Sequence, residues 1–303
     1  MIFVFGSIGV DFVTRVAAIP APGVTVVGPH FDVFAGGKGA NQALAAARAG
    51  AKVALIGAVG EDARQNHALD LLAAAGVNLD HVQHLEDERT QSAFISIDAK
   101  GQNAITVALG CSLQARAHWV PFDQMKSGDR LLVQRELPDA ELVKVLRQAK
   151  AKGVTTILNA APAAGFAPAL LDDLDLLIVN EHEVIEVGAA LGLAEAAHVN
   201  EPRQAGAAIT KVRSLKVIVT LGAEGSILCD GAQGESVAAF QVDVVDSTAA
   251  GDAFCGAFAA ALEAGHDLHM AMRWGNGAGA LACTRAGAQP SLPDQAAING
   301  LIG

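Results

Sequence analysis

Short, almost wholly apolar runs recur along this chain with longer helical patterns between them. Val53-Ala54-Leu55-Ile56, Leu131-Leu132-Val133, Thr155-Thr156-Ile157-Leu158, Leu176-Leu177-Ile178-Val179 and Val217-Ile218-Val219-Thr220 read as strands, and stretches near 62–75, 139–152, 181–191 and 202–213 read as helices. A strand that is apolar on both sides must be covered on both faces, so the pattern predicts an α/β fold with a mostly parallel sheet between helical layers. In such sheets, ligands collect at the carboxyl ends of the strands. The 303 residues show no repeat, linker or internal shift in composition, so a single principal domain over 1–303 is expected.

Two stretches break the pattern. Val24 to Phe34, and Gln91 to Val107 with a turn at Ala99-Lys100-Gly101-Gln102, alternate apolar and polar residues as half-solvated strands do. They suit either ordinary edge strands or a small antiparallel sheet, built from about 10–35 and 90–108, that stands off the body, covers a site and pairs with a second subunit.

Hydrophobic residues make up 51% of the chain, an excess due mainly to Ala, and no charge-free run is long enough to span a bilayer. The chain opens directly on Met1-Ile2-Phe3-Val4-Phe5-Gly6, which has no basic leader, so a soluble cytoplasmic protein is expected. A net charge of -11 with scattered Lys and Arg argues against nucleic-acid and anionic-membrane partners. Cys111, Cys229, Cys255 and Cys283 have no metal-site spacing and read as reduced core thiols.

Chemistry concentrates in Asp246-Ser247-Thr248-Ala249-Ala250-Gly251-Asp252. Phe240 to Val245 ahead of it looks like a strand, and Ala253 to Ala264 after it looks like a helix with Phe254, Phe258, Ala261 and Leu262 on one stripe. A turn of small residues into a helix leaves free backbone N–H groups at the positive end of the dipole, which is an anion site. Asp252 places a carboxylate beside those groups. The pair suits phosphoryl transfer to a hydroxyl; the alternative is that Asp252 only caps the helix and Asp246 only ends a strand.

Gly36-Gly37-Lys38-Gly39-Ala40-Asn41-Gln42 permits close backbone approach at another helix entry, but it is not a Walker motif because Gly39 stands where Ser or Thr is required. Asn180-Glu181-His182-Glu183 follows an apolar strand and offers oxygens suited to Mg²⁺ shared with nucleotide phosphates; His182 has no second His at zinc spacing. Thr220-Leu221-Gly222-Ala223-Glu224-Gly225 forms a Gly-rich turn or hairpin, and a helix through Asn276 and Ala282 leads into a Gly/Pro-punctuated loop from Arg285 to Ser291.

Together with Gly6-Ser7-Ile8 and Asp11, these segments resemble the PfkB carbohydrate kinase family, in its ribokinase branch, over nearly the whole chain. The resemblance implies a three-layer α/β/α domain with a small β-sheet lid that pairs in a homodimer. It also implies ATP-dependent phosphorylation of a primary sugar hydroxyl, most simply that of ribose, with a nucleoside or other sugar as the alternative acceptor. A non-catalytic sugar sensor on this fold would be expected to lack the base or the anion hole, and both are present. By similarity Asp252 is the base, and the backbone of Ala249, Ala250 and Gly251 forms the anion hole. Asp11, Gly37, Lys38, Asn41 and Glu136 line the sugar site. Thr220, Gly222, Gly225, Gly251 and Asn276 lie against the nucleotide, with Asn180 and Glu183 organising Mg²⁺ and phosphate. An activating K⁺ would lie near Asp246, Thr248, Ala282, Arg285, Gly287 and Ser291. Ribokinases usually carry Asn two residues before the sugar-binding Asp, where this chain has Gly9. Gly9 is therefore expected to leave a hole or room for a bulkier substituent, and Gly9→Asn to improve the use of ribose.

Overall fold

Val53–Gly60 is buried at all eight positions and forms β4, a strand covered on both faces as its apolar sequence requires. This computed structural model describes residues 1–193, 201–231 and 233–303. The strands before β4 are β1 (Ile2–Phe5), β2 (Gly9–Arg15) and β3 (Phe31–Gly36). Those after it are β5 (Asn78–Leu85), β6 (Gln91–Ile97), β7 (Asn103–Ala108), β8 (Arg130–Gln134), β9 (Thr155–Asn159), β10 (Leu176–Asn180), β11 (Lys216–Thr220), β12 (Ser226–Asp230) and β13 (Gln233–Val237). The helices are α1 (Lys38–Arg48), α2 (Gln65–Ala74), α3 (Asp139–Ala151), α4 (Glu181–Ala190), α5 (Pro202–Val212), α6 (Ala250–Glu263), α7 (Leu268–Cys283) and α8 (Gln295–Ile302).

Nine strands form one sheet in the order β13-β12-β11-β10-β9-β8-β1-β4-β5. From β11 to β5 every pairing is parallel, and only β12 and β13 run antiparallel at one edge. An apolar cluster covers each face. One face packs α1, α6 and α7 through residues such as Leu44, Phe258 and Met272, and the other packs α3, α4 and α5 through Leu142, Val184 and Ile209. The apolar strands and the four helices predicted between them fall where the sequence patterns place them, within a few residues, whereas the stretch from Val24 is strand only from Phe31 onward.

The second sheet, β3-β2-β6-β7, stands apart from the first. It is mixed rather than antiparallel as expected, because its central β2–β6 pairing is parallel. Four chain crossings tie it to the body: β1 to β2, β3 to α1, β5 to β6, and the exit from β7. At two places these crossings press backbone on backbone. A Cβ on Gly37 (φ 86°) would lie 2.8 Å from the Gly9 nitrogen and 2.9 Å from the Ser7 oxygen. One on Gly110 would lie 2.2 Å from the Arg89 oxygen.

Two expectations fail here. Phe240 to Val245 is extended but pairs with no strand; instead, the N–H groups of Val245 and Asp246 donate to the Cys283 carbonyl at the end of α7, at 2.8 and 3.2 Å. Helix α6 is buried from Asp252 through Ala261 rather than on one stripe, because it is sandwiched between α1 and α7. A Cβ on Gly256 would meet the Ala45 Cβ at 2.5 Å, so the helices could not approach this closely with any larger residue there.

Candidate active site

The carboxyl ends of β11, β10, β9, β8 and β1 lie side by side, and the chain just beyond them supplies Thr220, Asn180, Asn159, Gln134 and Ser7. Asp252 sits over this row in the first turn of α6, 7% exposed. Its carboxylate accepts one side-chain amide on each oxygen, from Asn41 Nδ2 and Gln42 Nε2, both at 2.9 Å. Gln42 Nε2 also donates to Asn159 Oδ1 at 3.0 Å, and Gln134 Nε2 donates to Gln42 Oε1 at 2.7 Å. Residues from α1, β8 and β9 thus fix the orientation of one carboxylate.

Burial pushes the Asp252 carboxyl upward, while Lys38 and the two amides oppose the shift. Burial also pulls the Lys38 ammonium down, but Asp252, Glu136 and Glu183 together outweigh it and hold it above its ordinary value. Asp11 is pushed up to about 7, first by burial and then by Glu136 and Asp252. Three carboxylates and one ammonium therefore share a confined volume.

That volume is a 590 Å³ cavity between the small sheet and the body, bordered by Asp11, Gly37, Lys38, Asn41, Glu136 and Asp252. The predicted sugar residues are all brought together. Glu136 Oε2 accepts from the Ser7 hydroxyl, from the Lys38 N–H at 3.2 Å and from Gln91 Nε2 at 3.0 Å. Asp11 packs against Gly36, where a Cβ would lie 2.5 Å from its carboxylate.

Beyond Asp252 the cavity continues into a 170 Å³ pocket lined by Asn180, Glu183, Thr220 and the 249–252 turn, and then into a 330 Å³ cleft bordered by Thr220, Gly222, Gly225, Gly251 and Asn276. Ala249 enters α6 in the left-handed region at φ 60°, an uncommon conformation for a residue with a Cβ. Gly251 has no positive φ, and a Cβ there would meet no protein atom within 4 Å. Neither backbone conformation nor packing requires glycine there; the position faces open space in the cleft.

Not every predicted residue is free. Asn180 caps α4, accepting from the N–H groups of His182 (2.9 Å) and Glu183 (2.8 Å), while Glu183 Oε2 accepts the Asn180 N–H at 2.9 Å. Asn276 Nδ2 donates to the Val237 and Ala238 carbonyls, so it shapes the cleft wall. Among the described residues no cluster of three His, Cys, Asp or Glu could by itself hold a metal.

Asp246 accepts from the N–H and hydroxyl of Thr248 and from the Gly287 N–H at 2.9 Å. Burial pushes its carboxyl up, but these donors outweigh burial and hold it below its ordinary value. Asp246, Thr248 and Gly287 border one 70 Å³ pocket. Ala282, Arg285 and Ser291 do not border it; Ser291 is buried and its hydroxyl donates to the Ala288 carbonyl at 2.7 Å.

The geometry overturns the expectation for Gly9. A Cβ there would lie 2.7 Å from the Gln91 carbonyl oxygen and 3.1 Å from the Gln91 Cβ and Cγ, so no hole exists. Gln91, Gln134 and Asn159 were missed from sequence, since each lies on a separate strand; the one local sign was their place at strand ends. Gln42 stands in the Gly36–Gln42 motif, but the motif alone gives it no role. A further cavity of 530 Å³ lies at the opposite end of the strands, where Lys216 and Arg213 already pair with Asp230 and Asp172. It contains no predicted site residue.

The model of the pfkB family of carbohydrate kinases matches residues 1–295. The chain belongs to that family. Among its kinase relatives, the ribokinase of Haemophilus influenzae is 34% identical over 293 residues, 96% of this chain and 94% of its own. The ribokinase structure from Thermotoga maritima superposes with a TM-score of 0.88 at 29% identity, covering 99% of this chain and 98% of its own. Arabidopsis thaliana ribokinase, complexed with ribose and ATP, gives 0.86 at 30% identity, with the same coverage.

Proposed function

We propose that this kinase transfers the γ-phosphate of ATP to the primary hydroxyl of a pentose, with ribose as the substrate. One observation carries the reading: Asp252 and the 249–251 backbone lie where the 590 Å³ cavity holding Asp11, Lys38, Asn41 and Glu136 meets the pocket and cleft beyond it. The full-length likeness to ribokinases, one of them solved with ribose and ATP, supports both ligands.

In this reading the sugar lies on Asp11, Gly37, Lys38, Asn41 and Glu136, with its primary hydroxyl against Asp252. Asp252 accepts the hydroxyl proton as the oxygen bonds to phosphorus, and its two amide partners keep it aimed. The N–H groups at the start of α6 and the Lys38 ammonium offset charge on the transferred group. The nucleotide lies along Thr220, Gly222, Gly225, Gly251 and Asn276, and closure of the small sheet over the cavity excludes water.

Asn180 and Glu183 fit Mg²⁺ only in part: they offer hard oxygens beside the Asp252 pocket, though each also serves the α4 cap. They would therefore hold the ion through water, shared with the nucleotide phosphates; Mg²⁺ would supply charge neutralisation there. The oxygens of Asp246, Thr248 and Gly287 around one pocket suit K⁺, whereas Ala282, Arg285 and Ser291 lie outside its lining. K⁺ there would steady the turn that carries the anion hole.

A homodimer through the small sheet is supported by its exposed apolar face. Phe12 stacks on Phe94 with ring centroids 5.4 Å apart and lies 5.9 Å from Phe31, and Phe31, Val33 and Phe94 are all exposed. The unpaired cysteines agree with a cytoplasmic location, and among the described residues no helix is long and apolar enough to cross a membrane. A coupled ADP-release assay across pentoses, hexoses and nucleosides tests the function. Turnover best with ribose is expected; preference for a nucleoside, or no turnover, would reject the reading.

A further inference from the structure

Gly9 and Gln91 are direct partners in the parallel β2–β6 ladder, each the first residue of its strand. The space that a side chain at position 9 would need is taken by the backbone and the first side-chain carbons of Gln91. The two positions therefore compete for one volume, and here residue 91 holds it.

Gln91 is 3% exposed and fixed at both ends of its carboxamide. Ser112, itself buried, donates its hydroxyl to Gln91 Oε1 at 2.7 Å, and Gln91 Nε2 donates to Glu136 Oε2 at 3.0 Å. A carboxylate can only accept, which fixes the nitrogen on the Glu136 side. Glu136 Oε2 is then saturated by Ser7, Lys38 and Gln91, while Glu136 Oε1 has no protein donor among the described residues. The second hydrogen of Gln91 Nε2 likewise has no protein acceptor among them, and Gln91 borders the 590 Å³ cavity.

We propose that Gln91 is a sugar-positioning residue: from the small sheet it supplies the amide that Gly9 lacks, holding Glu136 so that its free oxygen receives a sugar hydroxyl, and offering its own remaining N–H to the same substrate. The inference rests on the sugar-kinase reading and adds to it a residue outside the family's motifs. It makes the Gly9-for-Asn exchange a relocation of an amide, with pentose recognition kept.

The test compares wild type with Gln91→Met, which keeps length but not the hydrogen bonds, and with Gln91→Ala. Steady-state kinetics with ribose and with ATP, calorimetric ribose binding and Tm are measured on each. The expected result is a rise of roughly tenfold in KM and Kd for ribose, the loss of one to two hydrogen bonds. The KM for ATP and the kcat should stay within about twofold, and the Tm of Gln91→Met close to wild type. Unchanged ribose KM in both variants would overturn the proposal. So would a large fall in Tm, or equal losses in ribose and ATP parameters, which mark a merely structural residue. Wild type inert with every sugar would instead reject the sugar-kinase reading and the proposal with it; an active wild type with normal ribose KM in the variants rejects only the role of Gln91.

Discussion

At Asp252 the useful property is orientation. Its two oxygens are each held by an amide from α1, so in its proposed role as base the carboxylate would meet a bound hydroxyl without rearranging. Asp252→Asn is expected to lower kcat by roughly a hundred- to ten-thousandfold, since an amide cannot take the proton, with nucleotide binding retained by calorimetry. Activity within a few-fold of wild type, at equal folding, would remove Asp252 from the chemistry. Asp11 gives a second test at this scale. Its carboxyl titrates at about 7 when folded and near 3.8 otherwise, so the folded state binds the extra proton and stability falls as pH rises from about 4 through about 7. Asp11→Asn removes that cost. The variant should melt higher than wild type at pH 8 while weakening ribose binding, and the two Tm values should converge below pH 4. A gap that widens at low pH would contradict the cause assigned here. Asp252 was legible in the sequence because its small-residue turn into a helix carries its own chemistry, whereas Lys38 and Asn41 were placed at the sugar by resemblance alone. Gln134 and Asn159 were not legible, because only the order β9-β8-β1 brings their strand ends together.

Among elements, strands buried on both faces announced themselves by composition, and β8 to β11 lie where their apolar runs predicted. Phe240 to Val245 carried the same β-branched signal and forms no ladder: Val244 and Val245 are exposed, and the segment's hydrogen bonds go to a helix end instead. Pattern reports what a residue prefers, and pairing depends on which edge is available. Strand β2 was not separated within the 10–35 stretch; it is held between β3, some twenty residues on, and β6, some eighty residues on, distances no local window spans. The entry to α6 makes two predictions. Gly251→Ala should fold with unchanged Tm, since its Cβ meets no protein atom, yet lose affinity for ATP and turnover by filling the anion's space. Wild-type ATP kinetics in that variant would show that the turn does not receive a phosphate. The tie from Asp246 to Thr248 and Gly287 predicts faster turnover in K⁺ than in Na⁺ at equal ionic strength, and loss of the difference in Asp246→Ala. Identical wild-type rates in the two salts would rule out a monovalent site.

For the whole molecule, the proposed homodimer rests on the exposed apolar face of the small sheet. Phe94→Ser should shift the protein from dimer to monomer in light scattering at micromolar concentration. A wild-type monomer, or a variant dimer of unchanged stability, would place the interface elsewhere. The fastening of that sheet has a mechanical consequence. Two of the four crossings press backbone on backbone, at Gly37 on Ser7 and Gly9 and at Gly110 on Arg89, and a sheet that rocked on these tight points would take the line through them as its axle. Asp11 and Gln91 lie near that line, at the bases of β2 and β6, whereas Arg15 and Ile97 lie at the far ends of the same strands, four and six positions on and roughly 13 and 20 Å out. Displacement grows with distance from an axle. Such a rocking would swing the entrance wide for a substrate while the residues proposed to hold it hardly travel.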